Sequence, residues 1–434
     1  MKSNVPVSRH GPGWQSRLST LAIVMFLTLL IGSLIIVLNL AHQIKTVTAL
    51  APYHPSVSAN VSTHANTSLS QLGVYAGSSD GALYKLDAQS GKSLWHFQTS
   101  GRSIPAAPTV AAGTVYLASQ DGYVYALNAS NGTLKWRFQT HAPVLASPTV
   151  DSGVVFVGSS DGYLYALRIQ DGSLLWRYYT GPNSAAVTAN SAVVAGGVVF
   201  GSSTDNVAHS YLFALDAKAG TQLWRVQVTN QTFTTPQVAN GSVYINSSAM
   251  QQEGGSDSTD SYVYAYHGAD GKLLWRSDKI GDYILSAPTV ANGVVYIGSR
   301  DTYLYALDAN TGHRIWRYHT GGAIYSSPQV INGVVYSGVI IDPTANVRGS
   351  STDTTQSSGS IVAINATKGS LVWQHAIPNY AGSVLVAYQN ALFVGSQDNF
   401  VFSLNTTNGS EIWQYQEAST NPIFANNAPI TVAP

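Results

Sequence analysis

The chain has 434 residues, 45% of them apolar and only 10% charged, and its formal net charge is zero. That balance excludes nucleic-acid binding, which needs a basic stripe against phosphates, and it excludes an acidic, disordered chain. Cysteine is absent, so there is no disulfide framework, no thiolate metal site and no cysteine to carry a lipid anchor.

Residues 1–17 form a polar tail holding Lys2, Arg9 and Arg17. Residues 18–41 carry no charge, and the run LAIVMFLTLLIGSLIIVL is almost wholly apolar. About 20 such residues span a bilayer as a helix. Basic residues before the run place the N-terminus in the cytoplasm and the rest of the chain outside it. The other reading is a cleaved signal peptide, for which Ala49-Leu50-Ala51 has the small-x-small pattern. The apolar run is long for a signal core and the site lies far beyond it, so a retained anchor is expected. Residues 42–71 are rich in Ser, Thr, Asn, Pro and Ala without sustained periodicity, which predicts a flexible stalk. Asn60 and Asn66 fit the glycosylation sequon, a match that is common by chance in such a segment.

From Leu72 a unit repeats without a break. A glycine stands four residues before a tryptophan eight times: Gly91/Trp95, Gly132/Trp136, Gly172/Trp176, Gly220/Trp224, Gly271/Trp275, Gly312/Trp316, Gly369/Trp373 and Gly409/Trp413. Only Trp14 lies outside the series. Each full unit predicts four strands. Strand A is short and adjoins a proline, as in 106–110, 146–150, 286–290 and 326–330. Strand B follows a glycine (293–299), strand C is the LYAL-like segment, and strand D carries the tryptophan. Asp or Asn opens the C–D turn, where its side chain can bond the backbone two residues on, and the glycine supplies the positive φ that closes it. The tryptophan reads as a wedge packing one repeat on the next. Tryptophan spacings of 41, 40, 48, 51, 41, 57 and 40 residues fit four-stranded propeller blades. The expected fold is therefore all-β, an eight-bladed propeller over residues 72–434.

The first unit lacks an A strand, whereas residues 428–432 look like an A strand with nothing after it. The C-terminus then completes the first blade and closes the ring. The long spacings reflect insertions at 203–210, 247–261 and 340–360, all between strands B and C. Elsewhere that link is a tight Asp-Gly turn such as Asp80-Gly81, Asp121-Gly122 and Asp161-Gly162. In an up-and-down blade the B–C and D–A links share one rim, so the insertions gather there and mark it as the binding face.

These residues, with Ala306-Leu307-Asp308-Ala309-Asn310-Thr311-Gly312…Trp316 as the best copy, resemble the pyrroloquinoline-quinone-type repeat. The resemblance implies two kinds of relative. Quinoprotein dehydrogenases of alcohols and sugars hold the quinone (PQQ) and calcium on the propeller axis. Non-enzymatic propellers, such as the outer-membrane assembly lipoprotein B, use the scaffold for protein contacts. Such a quinone–calcium site needs hard oxygen ligands and a carboxylate base. The chain has only three glutamates, Glu253, Glu411 and Glu417, and turns occupy most aspartates. The adjacent cysteine pair of many quinoprotein alcohol dehydrogenases is missing, and no tryptophan is spare to cover a quinone. No catalytic, cofactor-binding or metal-binding residue is assigned, and no cofactor is expected; PQQ with calcium is the alternative.

The eleven histidines lack ligand spacing. His141 and His319 stand near D–A links, and a structural or solvated role is expected for them. Glu253, Asp257 and Asp260 form an acidic loop that could bind a cation but reads as solvated. The candidate partner-binding rim comprises Arg102, Phe233, Tyr283, Tyr325, Tyr380 and Phe424 on D–A links, with inter-blade packing as the plainer reading of the aromatics. The expected function is a membrane-anchored binding or scaffolding module of the cell envelope, taking a protein or glycan partner. The alternatives are a PQQ- and calcium-dependent dehydrogenase and a carbohydrate-binding propeller.

Overall fold

The computed structural model describes residues 68–434 apart from 79, 101–102, 182–186, 190, 206–209, 229–233, 249–259, 282, 342–357, 379–384, 397–399 and 417–429. The expected tail, the span at 18–41 and most of the stalk lie outside the described residues. Among the described residues no helix is long and apolar enough to cross a membrane. The end of the expected stalk is not loose chain: Leu69–Gln71 form a 3-10 turn, and Leu69 packs against the core of the first and last blades.

Eight antiparallel sheets follow. Seven have four strands; blade 4 has five, because its inner strand is in two pieces, Val187–Ala189 and Val193–Ala195, both paired with strand B. The other inner strands are Thr109–Ala111, Thr149–Asp151, Gln237–Ala239, Thr289–Ala291, Gln329–Ile331, Leu385–Tyr388 and Ile430–Ala433. Each touches the next around the ring, and Ile430–Ala433 touches both Leu385–Tyr388 and Thr109–Ala111. That last strand pairs with Gly73–Ala76 in blade 1, with Val74 opposite Val432. The C-terminal strand thus closes the ring, as the orphan segment at 428–432 predicts.

Outside blades 4 and 8, the inner strands are shorter than the sequence predicts and begin at the residue after a proline. Pro108, Pro148, Pro288, Pro328 and Pro429 all precede the first paired residue. Proline has no N–H to give a ladder, so pairing starts behind it. In blades 3 and 5 the turn aspartate also differs from expectation. Arg168 and His267 open those C–D turns, and the capping carboxylate moves to Asp171 and Asp270, which accept from the Ser173 and Lys272 amides.

The core is divided among the interfaces. Each hydrophobic cluster joins two neighbouring blades, for example Tyr116, Val124 and Trp136 of blade 2 with Val155, Val157 and Tyr165 of blade 3. A four-stranded sheet has two apolar faces and cannot cover either alone, so stability comes from nearest-neighbour contacts. The tryptophans are the joints. The indole N–H of each donates to a backbone carbonyl of the next blade: Trp95 to Ala129 (3.3 Å), Trp136 to Ile169 (3.0 Å), Trp176 to Ala217 (3.1 Å) and Trp224 to Gly268 (2.8 Å). Trp275 reaches Ala309 (2.9 Å), Trp316 reaches Ala366 (2.9 Å) and Trp373 reaches Thr406 (2.8 Å). Trp413 completes the circuit on Ala88 (3.0 Å), across 325 residues of sequence.

The motif glycine has a second role that spacing does not reveal. Besides its positive φ, it is the floor on which the preceding blade's indole lies. A Cβ at Gly312 would stand 2.5 Å from the Trp275 ring, and one at Gly91 would stand 2.7 Å from Trp413. The Gly-x-x-x-Trp signature therefore joins two different interfaces, one at each end of the motif.

Candidate docking rim

Strand order places the B–C and D–A links on one rim and the A–B and C–D links on the other. On the first rim, each regular B–C turn is tied by its aspartate. One carboxylate oxygen caps the turn, accepting the amide of Tyr123, Tyr163 or Tyr303 on Asp121, Asp161 or Asp301. The other accepts a tyrosine hydroxyl two residues further along: Tyr125 on Asp121 (2.6 Å), Tyr165 on Asp161 (2.6 Å) and Tyr305 on Asp301 (2.5 Å). Burial, reinforced by the bond to Asp121, pushes the Tyr125 hydroxyl up to about 12. Tyr165 and Tyr305 are pushed up for the same reasons. These hydroxyls stay protonated and keep donating.

The D–A links are stitched to these turns. The Ser100 amide donates to Asp121 and the His141 amide to Asp161, each at 3.1 Å. The Ile104, Val144 and Ile324 amides donate to the carbonyls of Ser78, Ser119 and Ser299. In blade 5 side chains replace backbone at this seam: Ser248 Oγ accepts the Ile284 amide (2.9 Å), and Asn246 Nδ2 donates to the Ile284 carbonyl (3.0 Å). Thr234 donates to Asn246 Oδ1 in the same buried network. The sequence signal was there, since blade 5 reads Asn246-Ser247-Ser248 where blade 6 reads Gly298-Ser299-Arg300.

The predicted insertions begin as sheet. Strands B and C run Val198–Asp205 and Ser210–Asp216 in blade 4, Ser242–Ser248 and Ser261–His267 in blade 5, and Val334–Ile341 and Ser358–Asn365 in blade 7. The five-residue B strands of blades 1, 2, 3 and 6 are shorter. Three hairpins therefore extend their ladders past the regular turns, with Ser248 opposite Ser261 and Ile341 opposite Ser358. Their tips lie outside the described residues.

Of the six predicted rim residues, Arg102, Phe233, Tyr380 and Phe424 lie outside the described residues. Tyr283 and Tyr325 are half-buried on successive D–A links. Tyr283 carries the Arg300 guanidinium over its ring (5.7 Å), and its carbonyl accepts the Arg300 amide. Sequence reasoning missed Leu145 and Leu285, which are 44% and 40% exposed. They occupy the repeat position of Tyr325, each following a buried aliphatic: Val144-Leu145, Ile284-Leu285 and Ile324-Tyr325. The first residue of each pair anchors the link and the second is presented on the rim. Superposing the repeats in sequence would have found them.

Of the donors that a calcium–quinone site would draw on, the described ones have other partners. Asp121, Asp161 and Asp301 are engaged as above, and Asp260 pairs with Lys279; Glu253 and Asp257 lie outside the described residues. Among the described residues no three carboxylate or imidazole groups converge on one point. All eight propeller tryptophans are held at blade interfaces.

Comparison with known proteins agrees with this geometry. The sequence family described as outer membrane protein assembly factor BamB matches residues 79–211, 208–258, 259–338 and 344–433. The factor from Moranella endobia is 28% identical over 214 residues, covering 48% of this chain and 49% of that one. Tetrathionate hydrolase of Acidithiobacillus ferrooxidans is 25% identical over 179 residues, covering 41% of this chain and 28% of that one. The chain thus spans half or less of the length of these two relatives. The solved quinohemoprotein alcohol dehydrogenase ADHIIG of Pseudomonas putida HK5 superposes with a TM-score of 0.61 at 17% identity, covering 83% of this chain and 70% of that one. At that identity the likeness is one of fold.

Proposed function

Because the chain belongs to the family described as outer membrane protein assembly factor BamB, we propose that it is a membrane-anchored, non-catalytic binding or scaffolding propeller of the cell envelope. Its partner is a protein, taken on the B–C/D–A rim. The observation that carries this reading is the division of labour between the links. The C–D links are spent on holding the ring, while the rim that carries the three extended B–C hairpins of blades 4, 5 and 7 also carries exposed Leu145 and Leu285 and half-buried Tyr325. Apolar and aromatic side chains on a rigid frame supply affinity, and loops of varied length supply selectivity. The anchor rests on the uncharged run at 18–41 behind Lys2, Arg9 and Arg17.

The test replaces the hairpin extensions at 203–210, 247–261 and 340–360 by Asp-Gly turns and recovers envelope partners by crosslinking and pull-down. The fold should survive and the partner should be lost. Retention of the partner, with loss on altering the opposite rim, would reject the placement. Titrating the protein with pyrroloquinoline quinone and calcium, followed by dye-linked oxidation of alcohols and sugars, should give no saturable turnover; turnover would establish the dehydrogenase reading. A glycan array checks the carbohydrate reading in the same way. Protease added to intact cells or spheroplasts should digest propeller epitopes and spare an N-terminal one. A mature N-terminus near position 52 would replace the anchor by a cleaved signal.

A further inference from the structure

A second surface lies on the outer strands, next to the B–C turns. In five consecutive blades the residue after the tryptophan is an arginine whose guanidinium sits over a tyrosine that is first or second in strand C. Arg137 covers Tyr123 at 4.9 Å, Arg177 covers Tyr163 at 4.7 Å and Arg225 covers Tyr211 at 3.9 Å. Arg276 covers Tyr262 at 4.5 Å and Arg317 covers Tyr303 at 4.6 Å. Stacking fixes a flat cation at little further entropic cost and leaves its N–H edge for a ligand. Arg137, Arg177, Arg276 and Arg317 are exposed; Arg225 is closed to a ligand, since its Nη1 donates to the Gly181 carbonyl (3.1 Å) and its Nε and Nη2 are buried. Among the described residues the recorded ion pairs use Lys272, Lys279 and His267 and none of these arginines.

The remaining three blades supply an internal contrast, with His96, Gln374 and Gln414 at the same position. A chain with no net charge therefore concentrates fixed cations on one arc, blades 2 to 6. The same outer strands also expose aliphatic side chains beside the arginine. Every C–D hairpin carries a bulge at the residue before the tryptophan, as between Ala166 and Leu167 or Ala306 and Leu307 on the facing strand. The extra residue is left unpaired and turned out. Leu175, Leu223, Leu274 and Ile315, each two residues before its arginine, are 41%, 52%, 50% and 51% exposed.

We propose that the outer strands of blades 3, 5 and 6, which pair Leu175 with Arg177, Leu274 with Arg276 and Ile315 with Arg317, dock extended protein segments in which acidic and aliphatic side chains alternate, one segment along each strand; blade 2 has Lys135 at the bulge. The carboxylates meet the stacked guanidinium and the aliphatic residues cover the bulged leucine or isoleucine. A uniform polyanion would leave those apolar side chains in water, so an amphipathic protein segment is the better complement. Individual contacts of this kind are weak and screened by salt; three copies on one partner act through avidity.

The test titrates the full-length protein with a ten-residue peptide of alternating glutamate and valine, with a lysine–valine counterpart and polyglutamate as controls. The glutamate–valine peptide should bind, weaken with salt, and lose at least about tenfold in affinity, or about 1.4 kcal/mol, when Arg177, Arg276 and Arg317 are changed to Gln. Gln414→Arg, beside exposed Ile412 and diagonal to Phe400 across the strand pair, should add a binding equivalent. Unchanged binding by the threefold variant at an unchanged thermal midpoint overturns the proposal, as does equal binding of polyglutamate or of the lysine peptide. Should the threefold variant lose its fold, an absence of any gain from Gln414→Arg overturns it. Shortening only the blade 7 hairpin at 340–360, which borders none of these tyrosines, should leave this binding intact, which separates its failure from failure of the rim placement.

Discussion

The two rims of the propeller are built from the same eight blades, yet one is uniform and the other is not. On the A–B/C–D rim, the residue after the C–D turn opener is held on both sides. Ala309, for example, donates its amide to the Gly293 carbonyl of its own blade and accepts the indole N–H of Trp275 from the blade before. Every blade must present that same peptide, because its neighbour's tryptophan has only one place to dock. On the B–C/D–A rim the seam is made by whatever group is at hand: a turn carbonyl at Ser299, a hydroxyl at Ser248, an amide at Asn246. A seam with interchangeable partners tolerates insertions, and three of eight blades have them. Uniformity marks where blades recognise each other; variety marks where the ring is free to recognise something else.

The contrast is broken most severely at ring closure. Deleting residues 427–434 removes Ile430 and Val432, both buried, and leaves Gly73–Ala76 an open inner edge. Each such aliphatic contributes about 1.5–3 kcal/mol, and the loss of two blade contacts adds to it. The thermal midpoint measured by calorimetry should fall by more than for any single substitution. An unchanged midpoint would mean that the ring does not depend on this strand.

Next come the joints themselves. Trp316 is only partly buried, so Trp316→Ala should cost about 3 kcal/mol in chemical denaturation, the low end of the range for a buried large aromatic. Gly312→Ala acts on the other end of the motif: the new methyl meets the Trp275 ring at 2.5 Å and the backbone stays at a φ of +73°. Overpacking with backbone strain costs about 1–3 kcal/mol. If Gly312→Ala were neutral, the glycine would serve the turn alone and not the interface. On the variable rim, Asp161→Asn should cost less, about 1 kcal/mol, because the weakened hydrogen bonds are partly buried at Tyr165 and exposed at His141. It loosens the Tyr165 hydroxyl and the His141 amide without displacing a joint.

The legibility of the sequence follows the same division. Eight Gly–Trp pairs betray eight blades because shared packing forces the repetition, and the orphan strand betrays closure because a ring must complete its first sheet. The proline offset of the inner strands was hidden, since apolar alternation runs through Ser-Pro-Thr-Val without showing which amide is missing. The stacked arginines were visible in principle. Tyr123/Arg137, Tyr163/Arg177, Tyr211/Arg225, Tyr262/Arg276 and Tyr303/Arg317 share one sequence offset, but a charged residue beside the more regular tryptophan reads as ordinary solvent-facing polarity. Tyr283 and Tyr325 stand out by residue type, whereas Leu145 and Leu285 need positional comparison, because a leucine announces itself as core.

The smallest effect sharpens the contrast from within the uniform rim. In blade 5 His267 opens the C–D turn and the cap falls to Asp270, whose carboxylate accepts the Lys272 amide, the His267 ring N–H and the Lys272 ammonium. These bonds, the backbone one foremost, hold its pKa at about 2, below the ordinary 3.8. A carboxyl depressed on folding stabilises the native state while it is ionised, so its contribution is complete above about pH 4 and disappears as pH falls toward 2. Denaturation of the wild type and of Asp270→Asn, followed from pH 7 to pH 2, should therefore show a small gap that closes across that window. Asp270 is exposed, so the gap is only a fraction of the loss at Trp316→Ala. A gap that persisted at pH 2 would assign the effect to packing of the turn. A gap as large as that of a tryptophan joint would mean that the turn cap, and not the indole it presents a carbonyl to, holds blades 4 and 5 together.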